Sequence, residues 1–192
     1  MTVIETFRQA IDIAAPLWTQ ALERLSWSHG LVTAAYLLAA WFCLMNGHIA
    51  RAAGETHKVW LLAASVLCLL GANTLLQVEV LLTHMLRAIA KMEGWYGGRR
   101  ELQYAMVGLL ALLAWPLWLR LRATFRTSHS ATEPLVWGLT LVLLVFVLRL
   151  VSAHGFDALL NLRLAGLSLG RLAELVGLGL VMHGCLRCLR LR

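Results

Sequence analysis

The sequence predicts an all-α fold: an integral membrane helical bundle of about five transmembrane helices, preceded by an amphipathic interfacial helix. Three observations lead there. Hydrophobic residues make up 60% of the chain and mean hydropathy is +0.73, where a soluble domain is about 45–50% apolar. Charged residues make up only 14%, and most lie between long apolar runs. Most of these runs approach the ~20 residues a helix needs to cross hydrocarbon. The net charge of +7 comes from Arg, since Lys58 and Lys91 are the only lysines. In such a chain, positive charge marks loops and lipid phosphates. No basic–aromatic alternation points to nucleic acid.

Residues 1–28 form the first unit. Ile4, Phe7, Ile11, Leu17, Trp18, Leu22 and Leu25 recur near helical spacing, while Glu5, Arg8, Asp12, Glu23 and Arg24 make the stretch too charged to span. It reads as an amphipathic helix on the membrane surface, bent near Pro16. It lacks the basic start and apolar core of a signal peptide.

Residues 29–192 form the second unit, a single transmembrane domain. Its spans are expected at about 30–49, 59–86 with an extension to 93, 103–119, 134–153 and 164–186. The first ends at Asn46-Gly47-His48 and a short polar turn. The second is expected to continue as one helix of about 50 Å, longer than the ~30 Å hydrocarbon core. Gly94-Trp95-Tyr96-Gly97-Gly98 is a turn whose aromatics suit the head-group belt. Pro116 lies in the third span, Pro134 opens the fourth, and residues 154–163 connect to the fifth. Five crossings put the termini on opposite faces. Seven Lys/Arg on one side against eight on the other leave orientation open.

The long second helix carries the most informative pattern. On one continuous helix, Asn73, Gln77, His84, Arg87 and Lys91 fall within an arc of about 80°, with Glu79 and Glu93 opposite. Polar groups facing hydrocarbon are costly, so this stripe must meet other polar groups. Threading the spans places Arg149, His154, Asp157, Arg171 and Glu174 at the same end of the bundle. Arg171 and Glu174, three apart, are expected to pair along their helix. Arg149, near a span end, is expected to snorkel. Glu79 is expected to find Arg149 or Arg171, or a partner on the first or third span, or to sit protonated. Arg99, Arg100 and Gln103 follow the Gly-rich turn at a helix start, where backbone amides and guanidiniums suit an anion. The expected ligand-binding set is therefore Asn73, Gln77, Glu79, His84, Arg87, Arg99, Arg100, Gln103, Arg149, Asp157, Arg171 and Glu174.

Other chemistries carry less support. His84 and His154 are the candidate haem or metal ligands. No helix carries two His at transmembrane-haem spacing, so neither cofactor is favoured. Glu79 and His84 are five apart, which does not fit an ExxH metal helix. Cys185 and Cys188 form a CxxC, and Cys43 and Cys68 sit in apolar runs as small hydrophobes. There is no GxSxG or HExxH. The His154–Asp157 pair suits acid–base chemistry and also an ordinary helix start.

Two stretches, EGWYGGRRELQ (Glu93 to Gln103) and RLVSAHGFDALLNLRLAGLSLGRLAEL (Arg149 to Leu175), resemble a group of uncharacterised small bacterial inner-membrane proteins. The resemblance implies a multi-pass protein of the bacterial inner membrane and groups the two stretches as one unit. It implies no activity. The expected function is non-enzymatic: a polar pocket on the N-terminal side that binds an anionic lipid, quinone or similar head group, or a subunit of a membrane complex. The alternatives are a haem or metal redox protein and a small transporter or channel. The expected partners are membrane lipids, with other membrane subunits or self-association, and no nucleic acid.

Overall fold

A computed structural model of the chain describes residues 3–55, 57–94, 119, 123, 133–151, 160–164 and 166–190. These residues form six helices and one two-strand hairpin. In order they are α1 (Val3–Glu23), α2 (Trp27–Ala52), α3 (Lys58–Leu76), α4 (Val78–Met92), α5 (Glu133–Val151), β1 (Arg163–Leu164), β2 (Leu167–Ser168) and α6 (Leu169–Arg190). The expected third span at 103–119 lies, but for its last residue, outside the described residues.

Three helices, α2, α3 and α6, are long and apolar enough to cross a membrane. Less than half of each apolar window is buried, 44%, 39% and 39%. Apolar side chains therefore cover the outside of these helices as well as the core, as in a helix solvated by lipid. Leu37, Leu38, Trp41, Leu62 and Leu69 are exposed examples.

The core gathers Tyr36 and Cys43 of α2, Leu67 of α3, Leu135 and Val142 of α5, and Leu178, Val181 and Cys185 of α6. Small residues set how closely the helices approach. A side chain at Gly177 would meet Val142 Cγ2 at 2.7 Å, and one at Gly184 the Leu135 amide at 2.7 Å. The α5–α6 crossing thus depends on missing Cβ atoms, since small residues let helix backbones approach closely. Gly71 admits Tyr36 between α2 and α3 in the same way. Beside it, the Thr33 and Thr74 hydroxyls bond to each other, and Thr74 Oγ1 donates to Gly71 O at 2.7 Å.

The expected single helix over 59–93 is corrected by the structure: it is two helices, α3 and α4, divided at Gln77. Gln77 adopts a left-handed conformation, φ 50° and ψ 37°, the only non-Gly positive φ among the described residues. Such a conformation costs roughly 1–2 kcal/mol for a residue with a Cβ. Local bonds compensate by satisfying the last carbonyls of α3. The Gln77 amide donates to Asn73 O at 2.8 Å and its Nε2 to Thr74 O at 2.8 Å. The Trp18 indole of α1 donates to Leu76 O at 2.7 Å. With α3 ended there, its 19 residues rise about 28 Å, one bilayer core.

Beyond the break, α4 packs against α1. The α1 seam is small: Thr6, Ala10 and Ala14, at i, i+4 and i+8, are buried. Ala88 and Ala90 are buried on α4. α1 runs through Pro16 without interruption.

A second correction concerns the fifth expected span, placed at 164–186. The β1–β2 hairpin occupies its start, pairing Arg163 with Ser168 and Leu164 with Leu167, with Gly166 at φ 84° in the turn. α6 begins at Leu169, whose amide donates to Leu162 O at 2.8 Å. Ser168 Oγ accepts from the Arg171 amide at 3.4 Å, an N-terminal cap that a simple apolar-run reading does not detect.

Candidate functional site

A cavity of about 400 Å³ opens where α2, α4, α5 and α6 meet the hairpin. Its wall includes Gln77, Glu79, His84 and Arg87 from the α3–α4 segment, Arg149 from α5, and Arg171 and Glu174 from α6. Seven of the twelve expected ligand-binding residues thus share one cavity. Asn73 adjoins it by donating from Nδ2 to Glu79 Oε2 at 3.1 Å. Arg99, Arg100, Gln103 and Asp157 lie outside the described residues, as does His154.

The break at Gln77 is what brings Glu79 to this cavity. On a continuous helix Glu79 would face away from Gln77 and His84. The left-handed residue shifts the phase between α3 and α4, so Gln77 and Glu79 line one space, while His84 borders it too although it stays about 140° from Glu79 on α4. This corrects the expected opposition of carboxylate and stripe. Glu79 also sits in the first turn of α4, where the helix dipole favours a negative charge. Among the described residues its partner is Asn73, not Arg149, Arg171 or a group on the first span; the expected third span, but for its last residue, lies outside them.

The expected Arg171–Glu174 pair along α6 is likewise corrected. Glu174 pairs with Arg149 of α5, Nη1 to Oε1 at 2.9 Å, with the Glu174 side chain only 4% exposed. Arg149 therefore does not snorkel away. Gly170 makes room for it, since a Cβ there would lie 3.1 Å from Arg149 Nη2. The second oxygen, Glu174 Oε2, is buried and has no hydrogen-bond partner among the described residues.

Arg171 turns instead to the start of α2. Its Nη1 donates to Ser28 Oγ and, at 3.4 Å, to Ser26 Oγ. Its Nη2 lies against the His29 ring, 3.2 Å from Nδ1. The ring is held in turn, because His29 Nδ1 accepts the Ser26 amide at 3.0 Å. Ser26 and Ser28 share a hydroxyl contact of 2.8 Å. Arg171 is thus anchored by uncharged groups, and its charge has no carboxylate within ion-pair distance among the described residues.

His84, on α4 outside the span-length helices, is held below the ordinary His range, first by partial burial and then by neighbouring Arg87. It is uncharged near neutral pH. A second cavity of about 380 Å³, lined by Gln20 and Arg24 of α1, shares His29, Gln77, Val80 and His84 with the first.

Sequence reasoning missed Thr74, Thr83 and Ser168 as wall residues, and it placed His29 and Asn161 at this end of the bundle without including them in the ligand-binding set. A signal for His29 was available: Ser26-x-x-His29 before an apolar run is a capping-box spacing with His in the Glu/Gln place. Ser168 belongs to a hairpin only two residues deep, which no periodicity reveals.

Among the described residues, no three His, Cys, Asp or Glu side chains are grouped to hold an ion. At the other end of the bundle, Cys43 and Cys185 touch at 3.7 Å between sulfurs, and Cys188 is also buried. Asn46 Nδ2 donates there to Phe42 O at 2.9 Å and Cys185 O at 3.3 Å.

Fold and site define a helical bundle with three membrane-length helices and a charged cavity at one end. Comparison with protein-family models, curated proteins and solved structures finds no match to this chain.

Proposed function

We propose that this is a non-enzymatic, multi-pass protein of the bacterial inner membrane whose cavity binds an anionic lipid head group. The observation that carries the reading is the convergence of Arg87, Arg149 and Arg171 on one cavity. Only Arg149 has an ion-pair partner there among the described residues. Guanidinium forks match phosphate oxygens in geometry and charge. A quinone ring, being neutral, matches them less well.

The finer topology supports a lipid ligand. α5 is apolar from Leu135 to Leu148 and reads as a fourth span, and residues 103–119 read as a fifth. α1 and α4 read as an interfacial layer, because Ile4, Phe7 and Ile11 of α1 and Leu82 and Leu86 of α4 are exposed. That layer would hold the cavity mouth at head-group depth. The resemblance of residues 93–103 and 149–175 to small bacterial inner-membrane proteins supports the location.

The test is binding to phosphatidylcholine nanodiscs with and without phosphatidylglycerol or phosphatidic acid, read by native mass spectrometry. An anionic lipid should be retained, and Arg171→Gln should weaken retention by about tenfold, the loss of one charge-assisted bond. Equal retention of phosphatidylcholine and anionic lipid sinks the reading.

A second reading, a small transporter, draws on the two cavities sharing the wall of His29, Gln77, Val80 and His84. Anion flux into liposomes, abolished by Arg149→Gln, would favour it.

A further inference from the structure

The cavity is not uniformly basic, and its two carboxylates constrain the ligand. Its described wall carries three guanidiniums, Arg87, Arg149 and Arg171, and two carboxylates, Glu79 and Glu174. With Glu174 ionised in its 2.9 Å pair with Arg149, His84 uncharged, and His29 accepting the Ser26 amide at Nδ1 as a doubly protonated ring cannot, the described wall carries a net charge of +1. A ligand of charge −1 therefore neutralises the described wall, and burial of uncompensated charge is what such a site must avoid.

The carboxylates add a second requirement. Glu174 gives one oxygen to Arg149, and its other oxygen is buried without a donor among the described residues. Glu79 accepts from Asn73 at one oxygen. An ionised carboxylate offers about four acceptor positions, so among the described residues acceptor capacity on this wall is left over. A bare phosphate monoester, at about −1.5 to −2, overcharges the site and faces both carboxylates. A zwitterionic head group supplies a donor but leaves the net +1 uncompensated.

We infer that the pocket selects a phosphodiester monoanion whose second alcohol carries free hydroxyls, with the phosphate on Arg171 and Arg87 and a hydroxyl donating to the Glu174 carboxylate. This rests on the lipid-binding reading above and narrows it from any anionic head group to a polyol phosphodiester.

The two can fail separately. The probes are phosphatidylcholine nanodiscs doped with phosphatidylglycerol, phosphatidic acid or phosphatidylethanolamine, one at a time, with the full chain. Phosphatidylglycerol should bind about tenfold tighter than either rival, the worth of one well-made charge-assisted hydrogen bond. Glu174→Gln should shrink its preference over phosphatidic acid to about threefold or less, because a neutral amide repels the monoester less and offers a weaker acceptor. Should that variant fail to fold, Glu79→Gln on α4 tests the same carboxylate effect, and the wild-type ranking still decides. Phosphatidic acid binding as tightly as phosphatidylglycerol overturns the inference and leaves the anionic-lipid reading standing, whereas phosphatidylethanolamine binding as tightly overturns both. No doped lipid binding above the phosphatidylcholine background removes both.

Discussion

The two ends of α2 and α6 carry opposite chemistry on the same pair of helices. At one end α2 presents Ser28 and His29 and α6 presents Arg171 and Glu174, around a cavity of about 400 Å³. At the other end α2 presents Cys43 and Asn46 and α6 presents Cys185 and Cys188, all buried, with two sulfurs in contact at 3.7 Å. The second end is closed by packing, and its one amide finds two backbone carbonyls. The first end is held open by directed bonds between charged and hydroxyl groups. The difference shows where a bundle of this kind can keep a ligand: where side-chain bonds rather than apolar contacts set the helix spacing.

The largest expected effect breaks the polar end. Arg149→Leu leaves Glu174 buried without its cation, and removing one partner of a buried pair costs about 3–5 kcal/mol. Reversible unfolding in mixed micelles should show that loss, and the double change Arg149→Leu with Glu174→Leu should recover most of it. A single variant as stable as wild type would mean that the pair seen at 2.9 Å contributes nothing to the fold.

Gly177→Ala comes next and acts between the two ends. Its Cβ would meet Val142 Cγ2 at 2.7 Å and Gly138 O at 3.0 Å. Overpacking of this kind costs about 1–3 kcal/mol. An unchanged unfolding midpoint would show that α5 and α6 can part cheaply, and the cavity above them would then be soft.

At the closed end the prediction is a near-null result. Asn46 Oδ1 is buried without a partner among the described residues, so Asn46→Leu trades one unsatisfied acceptor and two modest bonds for apolar contact. The change should lie within about 1 kcal/mol of wild type. A loss as large as that of Arg149→Leu would mean that this end holds a polar partner of its own, and the contrast would fail.

The smallest effect is in pH. His84 is held below its ordinary value of 6.5 by burial and by Arg87. The unfolded chain then binds a proton more readily than the folded one, so stability falls with falling pH. His84's contribution is complete above pH 6.5 and declines as pH drops through that value toward the lower folded one. His84→Gln should flatten the stability profile in that window. A profile as steep in the variant assigns the dependence to another group.

The same contrast shows what could be read in advance. The apolar runs at 30–49 and 134–153 correspond to α2 and α5 within a few residues, because hydropathy is a property of each segment. The polar residues of α4, α5 and α6 were identifiable one by one for the same reason, being costly wherever they sit in an apolar setting. Their partners were not. Arg171 had Glu174 three residues away and bonds Ser28 instead, 143 positions distant. Glu174 takes Arg149 from a different helix.

By itself, then, the sequence determined the helical class, the membrane-length runs and the identity of the expensive side chains, since each follows from the local transfer cost of residues. Only the tertiary structure decided the pairings and the break at Gln77. No Gly or Pro marks that break. The left-handed turn persists because the Trp18 indole, 58 positions earlier, holds the Leu76 carbonyl, while the Gln77 amide and side chain hold those of Asn73 and Thr74. Of these, the Trp18 indole reaches the helix end only when α1 has docked on α4.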